Sequence, residues 1–345
     1  MTVRLPDDCE QLLLVRDRAA RATALICVHD TRLGPAHGGI RRWAYRSSDE
    51  ALADVVALAR AMTFKCALAE VPAGGGKAVL IDHDGLDRRG AYELVGRTVE
   101  RLEGRFFTGP DVNTTADDLD VVAEQTRFVA TGRDDGGSGG PGDLAAATAQ
   151  GVFAAMRALC RELATEPAGL HVVVQGLGAV GMDLVRRLHA ANARVSVHDV
   201  IASRVDQAVR QYGATALPES DVLTTPCDVF APCALGSVLT RDVVDQLPAR
   251  GVCGAANNIF AGEAAALRCH ERGIVAVPDF IANAGALIAG ATFHLRGERV
   301  DAARIDRVGE TAAAVLQRAA AERRPPSELA LELARERVER GPAQV

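Results

Sequence analysis

Apolar residues follow two different periods along the 345-residue chain, and each change of period marks an element. Short, nearly continuous apolar runs predict buried strands, whereas apolar residues three or four positions apart predict helices. In the first half, strands are predicted at residues 23–29, 78–81 and 105–108, and helices at 47–62, 88–102 and 117–125. In the second half, strands are predicted at 170–175, 194–198, 228–231, 251–254 and 274–277, and helices at 144–160, 283–294, 304–323 and 326–340. The regular alternation in the second half predicts a parallel sheet with helices on both faces.

A glycine-rich segment separates the two halves, and its composition is typical of a linker or hinge rather than a ligand loop. A chain of this length is also expected to form two domains. We therefore predict an α/β protein with an N-terminal domain at 1–132, a hinge at 133–142 and a second domain at 143–319.

Composition excludes several classes of protein. The net charge is −6 and no basic block stands out, which argues against nucleic acid as a partner. The eight cysteines lie in apolar stretches without metal-ligand spacing, so reduced thiols and no metal site are expected. No run reaches the roughly 18 apolar residues that a spanning helix needs. Acids stand where a signal peptide would carry its apolar core. A soluble, cytoplasmic protein without a membrane partner is expected.

A nucleotide site is predicted where the strand at 170–175 runs into Gly176-Leu177-Gly178-Ala179-Val180-Gly181 and then a helix. Such glycines permit a tight turn and close approach of a pyrophosphate, and N–H groups at the helix start favour the anion. Asp199 follows the next strand, about 20 residues on, where an acid bonds a ribose diol. Its charge favours NAD over NADP, although Arg204 is near enough in sequence to accommodate a 2′-phosphate.

A second glycine stretch, Gly74-Gly75-Gly76-Lys77, is predicted to form a turn that leads into an apolar strand. Glycines allow left-handed backbone and leave room for another molecule. The stretch is not a P-loop, because Val71 and Ala78 occupy the positions where that motif needs glycine and Ser or Thr. A hairpin with a solvated lysine is the alternative.

Two other polar residues are candidates for chemistry. Lys65 stands at the end of a helical pattern, where a surface lysine is also favoured by the helix dipole. Asp111 follows Pro110, where a plain turn acid is the alternative.

Eight stretches between about residues 25 and 290 resemble the amino-acid dehydrogenases of the glutamate/leucine/phenylalanine/valine family. Residues 108–114 and 254–258 look most like its phenylalanine dehydrogenase branch. The stretches are 34–39, 59–65, 74–77, 108–114, 174–181, 227–234, 254–258 and 278–285.

The resemblance implies a substrate domain, a Rossmann-type domain and a cleft between them. It implies reversible oxidative deamination of an L-amino acid to a 2-oxo acid, with release of ammonia and reduction of NAD. Lys65 would bind the substrate carboxylate and Lys77 would activate the attacking water. Asp111 would exchange protons with the amino group, with the carbonyl of Pro110 nearby.

Further roles are implied in the same way. Substrate contacts are expected from Gly38, Gly39, His37, Leu287 and Asn258; cofactor contacts are expected from Thr148, Gly176, Gly178, Ala179, Val180, Gly181, Asp199, Ala234 and Asn258. The C-terminal helix, about 320–345, would pack on the N-terminal domain, and the enzyme would be a homo-oligomer.

The residue types suit this chemistry even without the family resemblance. A lysine base must lose its proton near neutral pH, and a pKa of about 7.5 instead of about 10.4 corresponds to about 4 kcal/mol. Burial of Lys77 and a second ammonium at Lys65 would both act in that direction.

The side-chain preference is the least constrained feature. The sequence shows no obvious acid or base that would pair with a charged substrate side chain, so a hydrophobic amino acid is expected. An aromatic, phenylalanine-type amino acid is favoured. Branched-chain amino acids and tryptophan are the alternatives. His37 stands where the family pattern has an apolar or small residue; it either turns to solvent or enters the pocket and narrows it or bonds a polar or indole group.

Two other functions remain open at this point. A 2-hydroxy-acid dehydrogenase would usually need a catalytic His with an Arg, and the paired lysines with Asp111 fit amine chemistry better. A non-catalytic NAD-binding subunit would have no use for those three residues.

Overall fold

The computed structural model describes residues 9–131, 140–234 and 236–341. The chain forms two compact units, which comprise Met1–Gly142, Gly290–Arg299 and Ala334–Val345 in one, and Asp143–Ala289 and Val300–Leu333 in the other. Most of the hinge predicted at 133–142 lies outside the described residues. The domain limits at 132, 143 and 319 stay predictions.

The first unit is built on a six-stranded mixed sheet. Its order is β1-β2-β5-β3-β6, with β4 also paired to β5. The strands β1, β2 and β5 run antiparallel, whereas β3 and β4 are parallel to β5. The elements are β1 (Gln11–Asp17), β2 (Ala22–Asp30), β3 (Ala36–His37), β4 (Ile40–Trp43), α1 (Ser48–Leu68), β5 (Gly74–Ile81), α2 (Arg88–Glu100), β6 (Phe106–Phe107) and α3 (Ala116–Ala123).

Helices cover both faces of this sheet. On one face, Val55 and Ala59 of α1 pack against Leu25 and Val79. On the other face, α2 and α3 pack against the opposite side chains of the same strands. A strand buried on both faces is apolar at nearly every position, which is why the central strands were predictable from the sequence.

The triple glycine is not a turn, and here the sequence-based prediction is wrong. Gly74, Gly75 and Gly76 are the first three residues of β5, and none of them has a positive φ. Their missing side chains serve close packing instead. A Cβ on Gly75 would lie 2.1 Å from the backbone nitrogen of Thr63 in α1, and one on Gly76 would lie 2.7 Å from the ring of Phe106. The space beside these glycines is therefore filled by the protein itself.

The second unit contains a six-stranded parallel sheet of order β12-β11-β10-β7-β8-β9. Consecutive strands diverge from β7, so the order reverses between β7 and β10, as in dinucleotide-binding folds. The strands are β7 (His171–Gln175), β8 (Arg194–His198), β9 (Thr215–Ala216), β10 (Cys227–Pro232), β11 (Ala249–Val252) and β12 (Val275–Ala276).

Nine α-helices of the described residues begin beyond residue 143, and the first eight belong wholly or partly to the second unit. They are α4 (Leu144–Glu162), α5 (Ala179–Ala190), α6 (Ala202–Tyr212), α7 (Arg241–Gln246), α8 (Glu263–Glu271), α9 (Asp279–Ala282), α10 (Gly285–Arg296) and α11 (Ala302–Glu322). A ninth, α12 (Pro326–Arg340), ends the described chain. From Gly290 onward α10 belongs to the first unit, as α12 does from Ala334. The two-unit α/β architecture with a Rossmann-type sheet is confirmed.

Some elements were missed or misjudged. The edge strand β1 and the strand β4 were not predicted. Arg41 and Arg42 interrupt the apolar pattern of β4. The strand β1 carries the apolar run Leu12–Val15, a strand signal that the prediction missed. The helix α1 begins after its N-cap Ser47, close to prediction, but continues six residues beyond Met62 to Leu68. Across the described part of the chain, the helices lack the length and apolarity that crossing a membrane would require.

Gly75→Ala is expected to destabilise the protein. The new methyl group would push α1 away from β5, and overpacking of this kind costs about 1–3 kcal/mol. The denaturant midpoint of the full chain measures the effect. Gly109→Ala is the matched control, since its Cβ would lie 3.2 Å from that of Ala130 and requires a much smaller adjustment. Equal midpoints for the two variants would contradict this account of the triple glycine.

Candidate active site

A buried ion pair forms the centre of the candidate site in the first unit. The Nζ atom of Lys77 lies 2.9 Å from Oδ2 of Asp111, and the lysine side chain is only 7% exposed. Lys77 sits inside β5 opposite Cys27 of β2. Asp111 lies in the loop after β6, beside Pro110, which bridges to Ile40. The sheet thus brings together two residues that the sequence singled out separately.

Arg41 extends this pair into a network. Its Nε lies 3.1 Å from the same Asp111 oxygen, and its Nη1 lies 3.2 Å from Oδ2 of Asp54 on α1. The hydroxyl of Tyr45 donates a hydrogen bond to Asp54. Arg41 is opposite Val79 in the register of β4 and β5, so it shares the α1 side of the sheet with Lys77. Two cations therefore converge on one carboxylate oxygen.

The network sets the protonation of both partners. Burial lowers the pKa of Lys77 below its ordinary value, Asp111 partly opposes this shift, and the charge of Arg41 adds to it. Burial alone would raise the pKa of Asp111, but Lys77 and Arg41 lower it below its ordinary value. Asp111 is therefore a carboxylate at neutral pH, and Lys77 gives up its proton more readily than a solvated lysine does.

Lys65 lies in the last turn of α1 and is half-buried. The end of that helix is fixed from the C-terminal helix, since Arg337 of α12 donates to the carbonyl oxygens of Ala67 and Leu68 at 3.2 and 3.0 Å. Two residues before Lys65, Thr63 contacts Gly75 of β5. The helix end that carries Lys65 is thereby held on the strand that carries Lys77.

Gly38 and Gly39 make the site compact. A Cβ on Gly38 would lie 1.8 Å from the carbonyl oxygen of Gly76, and one on Gly39 would lie 2.2 Å from that of Pro110. Close backbone approach thus brings residues 37–39 against β5 and the Asp111 loop. Whether these glycines also touch a substrate stays a prediction.

His37 does not turn to solvent, so that alternative is wrong. Both of its ring nitrogens are buried and have no hydrogen-bond partner among the described residues. Its ring stacks on that of His294 in α10, with centroids 5.9 Å apart and planes inclined by 13°. Burial is the largest of three effects, with the charges of His294 and Lys77, that together lower the pKa of His37 to about 3. His37 is a neutral imidazole.

The glycines of the predicted nucleotide loop have three distinct roles. Gly176 has a φ of +97°, and a Cβ there would collide with Ala234. A Cβ on Gly181 would lie 2.0 Å from the carbonyl oxygen of Gly176, which fixes the close packing of α5 on the loop. Gly178 caps α5, and a Cβ there would meet nothing within 4 Å among the described residues.

This open position suits a dinucleotide. The first N–H groups of a helix lack intrahelical partners, and those at Ala179 and Val180 begin α5 directly beside Gly178. A pyrophosphate requires unhindered backbone approach and N–H donors of this kind. The residues present therefore fit the phosphates of a nicotinamide dinucleotide.

Asp199 is held against the glycine loop at the end of β8. Its Oδ2 accepts from the N–H of Leu177 at 2.6 Å, and its Oδ1 accepts from that of Ile201 at 2.8 Å. Burial would raise the pKa of Asp199, but these N–H groups and Arg204 lower it below its ordinary value. Arg204 lies 3.6 Å away and partly neutralises the charge that would repel a 2′-phosphate.

The other predicted cofactor and substrate residues of the second unit occupy separate elements. Thr148 is buried in α4 and donates to the carbonyl oxygen of Leu144, and Leu287 is half-buried in α10. Asn258 has a φ of +50°, and its N–H donates to Asp279 at 2.6 Å. Their proposed contacts with a nicotinamide or substrate stay predictions.

Several residues of the site were not singled out from the sequence. Arg41, Asp54, Asp279 and His294 are brought in by strand pairing and helix packing, which have no local signature. One strong signal was available for the lysines. Of the 39 Lys and Arg residues, only Lys65 and Lys77 are lysines. Arginine stays protonated in proteins, so a chain that otherwise uses arginine has kept lysine at two positions of the candidate site.

Comparisons with known proteins give a consistent result. Residues 12–128 match the model described as Glu/Leu/Phe/Val dehydrogenase, dimerisation domain, and residues 197–338 match that of Glutamate/Leucine/Phenylalanine/Valine dehydrogenase. The chain is 39% identical to leucine dehydrogenase from Thermoactinomyces intermedius, over 81% of this chain and 77% of that protein. It is 39% identical to valine dehydrogenase from Streptomyces virginiae, over 95% and 93%. The crystal structure of L-tryptophan dehydrogenase from Nostoc punctiforme has a TM-score of 0.87 and 33% identity, with 96% of each chain covered.

The pKa of Lys77 is expected to respond to its two neighbours with opposite signs. With ¹³C-labelled lysine, NMR of the chain shows only two lysine side chains, and Lys65→Arg identifies the signal of Lys77. In the unmodified protein Lys77 should titrate below the range of a solvated lysine. Asp111→Asn removes the charge that raises the pKa and should lower it further, whereas Arg41→Met should raise it. Shifts of the same sign in both variants would contradict the network.

Two glycine variants are expected to separate folding from cofactor binding. Gly178→Ala has room in the folded chain, so its melting temperature should stay near that of the unmodified protein while its Kd for NAD rises at least tenfold. Gly181→Ala should lower the melting temperature, because its methyl group meets a backbone oxygen. Calorimetric titration with NAD and thermal melts measure the two effects. Unimpaired binding by Gly178→Ala would remove this loop as the phosphate site.

Proposed function

The chain belongs to the Glu/Leu/Phe/Val dehydrogenase family, and on this premise we propose that it catalyses the NAD-dependent oxidative deamination of a hydrophobic, aromatic L-amino acid. Membership makes it an amino-acid dehydrogenase, an oxidoreductase that acts on CH–NH₂ donors. The products are the 2-oxo acid and ammonia, and the reaction is reversible.

The buried Lys77–Asp111 pair is the observation that carries this proposal. Oxidative deamination needs a base that activates water and a group that exchanges protons with an amine. In our proposal neutral Lys77 takes the proton from the water that adds to the imino carbon of the oxidised substrate, and Asp111 exchanges protons with the amino group. Lys65 binds the substrate carboxylate, and the carbonyl of Pro110 accepts from the amino group.

Arg41 is a positioning residue in this scheme. Its contacts to Asp111 and Asp54 hold the carboxylate in one place and keep it ionised. Its positive charge also favours loss of the Lys77 proton. The same guanidinium thus supports both proton-transferring groups.

NAD, when bound, supplies the hydride acceptor. The glycine loop at Gly176, Gly178 and Gly181 and the N–H groups of Ala179 and Val180 would hold its phosphates, and Asp199 its ribose. Thr148 and Asn258 would position the nicotinamide end, and Ala234, beside Gly176, would also contact the cofactor. NAD is preferred to NADP because of Asp199, in spite of the nearby Arg204.

The substrate side chain is proposed to be uncharged. His37 and His294 both have lowered pKa values, so these two stacked rings offer no charge to a glutamate-like side chain. An aromatic group, either the phenylalanine type expected from the sequence or one with a polar edge, is the first choice, and His37 with Leu287 would contact it. Branched-chain amino acids and tryptophan are the alternatives, supported by the names of the leucine, valine and tryptophan dehydrogenases above.

A homo-oligomer is proposed as the working form. It is supported by the match of residues 12–128 to a model described as a dimerisation domain. The small molecules exchanged are the amino acid, the 2-oxo acid and ammonia.

Lys77→Arg is expected to abolish turnover, because an arginine keeps the positive charge but cannot lose a proton at working pH. Lys77→Ala and Asp111→Asn should likewise lower kcat by at least a thousandfold. NADH formation with a panel of L-amino acids, and the reverse reaction with ammonia and 2-oxo acids, measure these changes.

Binding of NAD to all three variants is the control and should stay within about twofold of the unmodified protein. Substantial activity in Lys77→Arg would show that Lys77 acts through its charge alone. Turnover of hydroxy acids in place of amino acids would refute the proposal as a whole.

A further inference from the structure

We propose that the stacked His37–His294 pair is a specificity device that selects substrates whose side chain carries an N–H or O–H group. The inference rests on the proposed deamination reaction and names the side-chain class that the site accepts. The sequence analysis did not single out His294, which lies near the C-terminal end of α10.

The two rings form a defined structural pair. Their centroids are 5.9 Å apart with planes inclined by only 13°, which is a stacked geometry. Phe293 packs edge-on against the ring of His294, with centroids 6.2 Å apart. Stacking and this contact fix the orientation of the rings, so their nitrogens point in set directions.

Three nitrogens of the pair lack partners. Nδ1 and Nε2 of His37 and Nδ1 of His294 are buried without a hydrogen bond to any described residue. Leaving a buried polar atom unsatisfied costs about 1–3 kcal/mol. Apolar residues at positions 37 and 294 would fill the same space without that cost.

Protonation of a ring does not remove the free-energy cost of its unpartnered nitrogens. A charged imidazole would repel its neighbour and the ammonium of Lys77, and burial disfavours it further. Each ring is therefore neutral, with one N–H donor and one lone-pair acceptor. The pair offers an acceptor to an N–H or O–H group and offers no charge to an acid or a base.

The position of the pair links it to the reacting groups. His37 is opposite Gly75 in the pairing of β3 with β5, and Lys77 lies two residues further on the same side of β5. Gly38 and Gly39 then bring the chain against Gly76 and Pro110. A substrate whose amino group lies at Asp111 would extend its side chain past this segment.

An aromatic side chain with a polar edge satisfies these conditions. An indole N–H or a phenol O–H donates to an imidazole nitrogen, while the aromatic face packs on the stacked rings. A phenyl or alkyl side chain would cover the nitrogens and leave them unsatisfied. Sites built to bond a substrate N–H or O–H discriminate strongly against analogues that lack it.

The test compares substrates that differ only in the polar group. L-Tryptophan is paired with 3-(benzothiophen-3-yl)-L-alanine, in which sulfur replaces the indole N–H, and L-tyrosine is paired with L-phenylalanine. In the unmodified enzyme, kcat/KM should favour the polar member of at least one pair by tenfold or more. The first pair reports on an indole N–H and the second on a phenol O–H.

In His37→Leu the favoured ratio should fall to about one, and in His37→Gln, which keeps donors and an acceptor, it should be partly retained. His294→Leu repeats the test on the other ring if His37→Leu does not fold. Without substrate, His37→Leu should melt at a higher temperature, because it removes two unsatisfied nitrogens.

Ratios near one in both pairs of the unmodified enzyme, or ratios unchanged in both leucine variants, would overturn the inference while leaving the deamination reaction established. Absence of turnover with every amino acid would instead overturn the proposed function, and this inference with it.

Discussion

The burial of one amine against one carboxylate organises the first unit. Lys77 stands in the middle of a strand whose neighbours are apolar, and its charge is tolerated there only because Asp111 lies 2.9 Å away. The carboxylate in turn is held by Arg41, and Arg41 is held by Asp54 of α1. Strand, loop and helix are thus tied to the single centre that we propose transfers protons. The same burial that makes the lysine costly for folding also lowers its pKa, which is the property that the proposed base requires.

Small residues allow this centre to exist. Every second residue of β5, namely Gly75, Lys77 and Val79, faces α1. Because Gly75 has no side chain, the helix approaches the sheet closely there and leaves space for the amine of Lys77 two residues further along the strand. Gly38 and Gly39 bring the neighbouring segment equally close to Gly76 and Pro110. Backbone packing at a few glycines therefore sets the position of Lys77, His37 and Asp111 relative to one another.

Periodicity and local motifs predicted much of the fold. The doubly buried strands, the parallel sheet and the nucleotide loop all follow from runs of neighbouring residues, and β7 with Gly176, Gly178 and Gly181 appears as expected. Lys77 and Asp111 were recognised, but as separate candidates. Their distance depends on the pairing of β4 with β5, and β4 has too many charged residues to be read as a strand. Arg41 and His294 were missed for the same reason, since only tertiary packing gives them partners.

The use of lysine connects these observations. A guanidinium can form every surface ion pair that this chain needs, and arginine forms them throughout, as at Arg88 with Asp118 and Arg324 with Glu332. Lys65 and Lys77 are the only two lysines in the sequence. At Lys77 the proposed role as a base accounts for this choice, because an ammonium has a pKa that burial can bring within reach of neutral pH, whereas a guanidinium does not. Lys65 lies at the end of a helix that Arg337 holds in place. Its small ammonium can attract a carboxylate by charge alone, without the fixed two-point geometry of a guanidinium. The distribution of one residue type thus marks the place where charge must be moved as well as balanced.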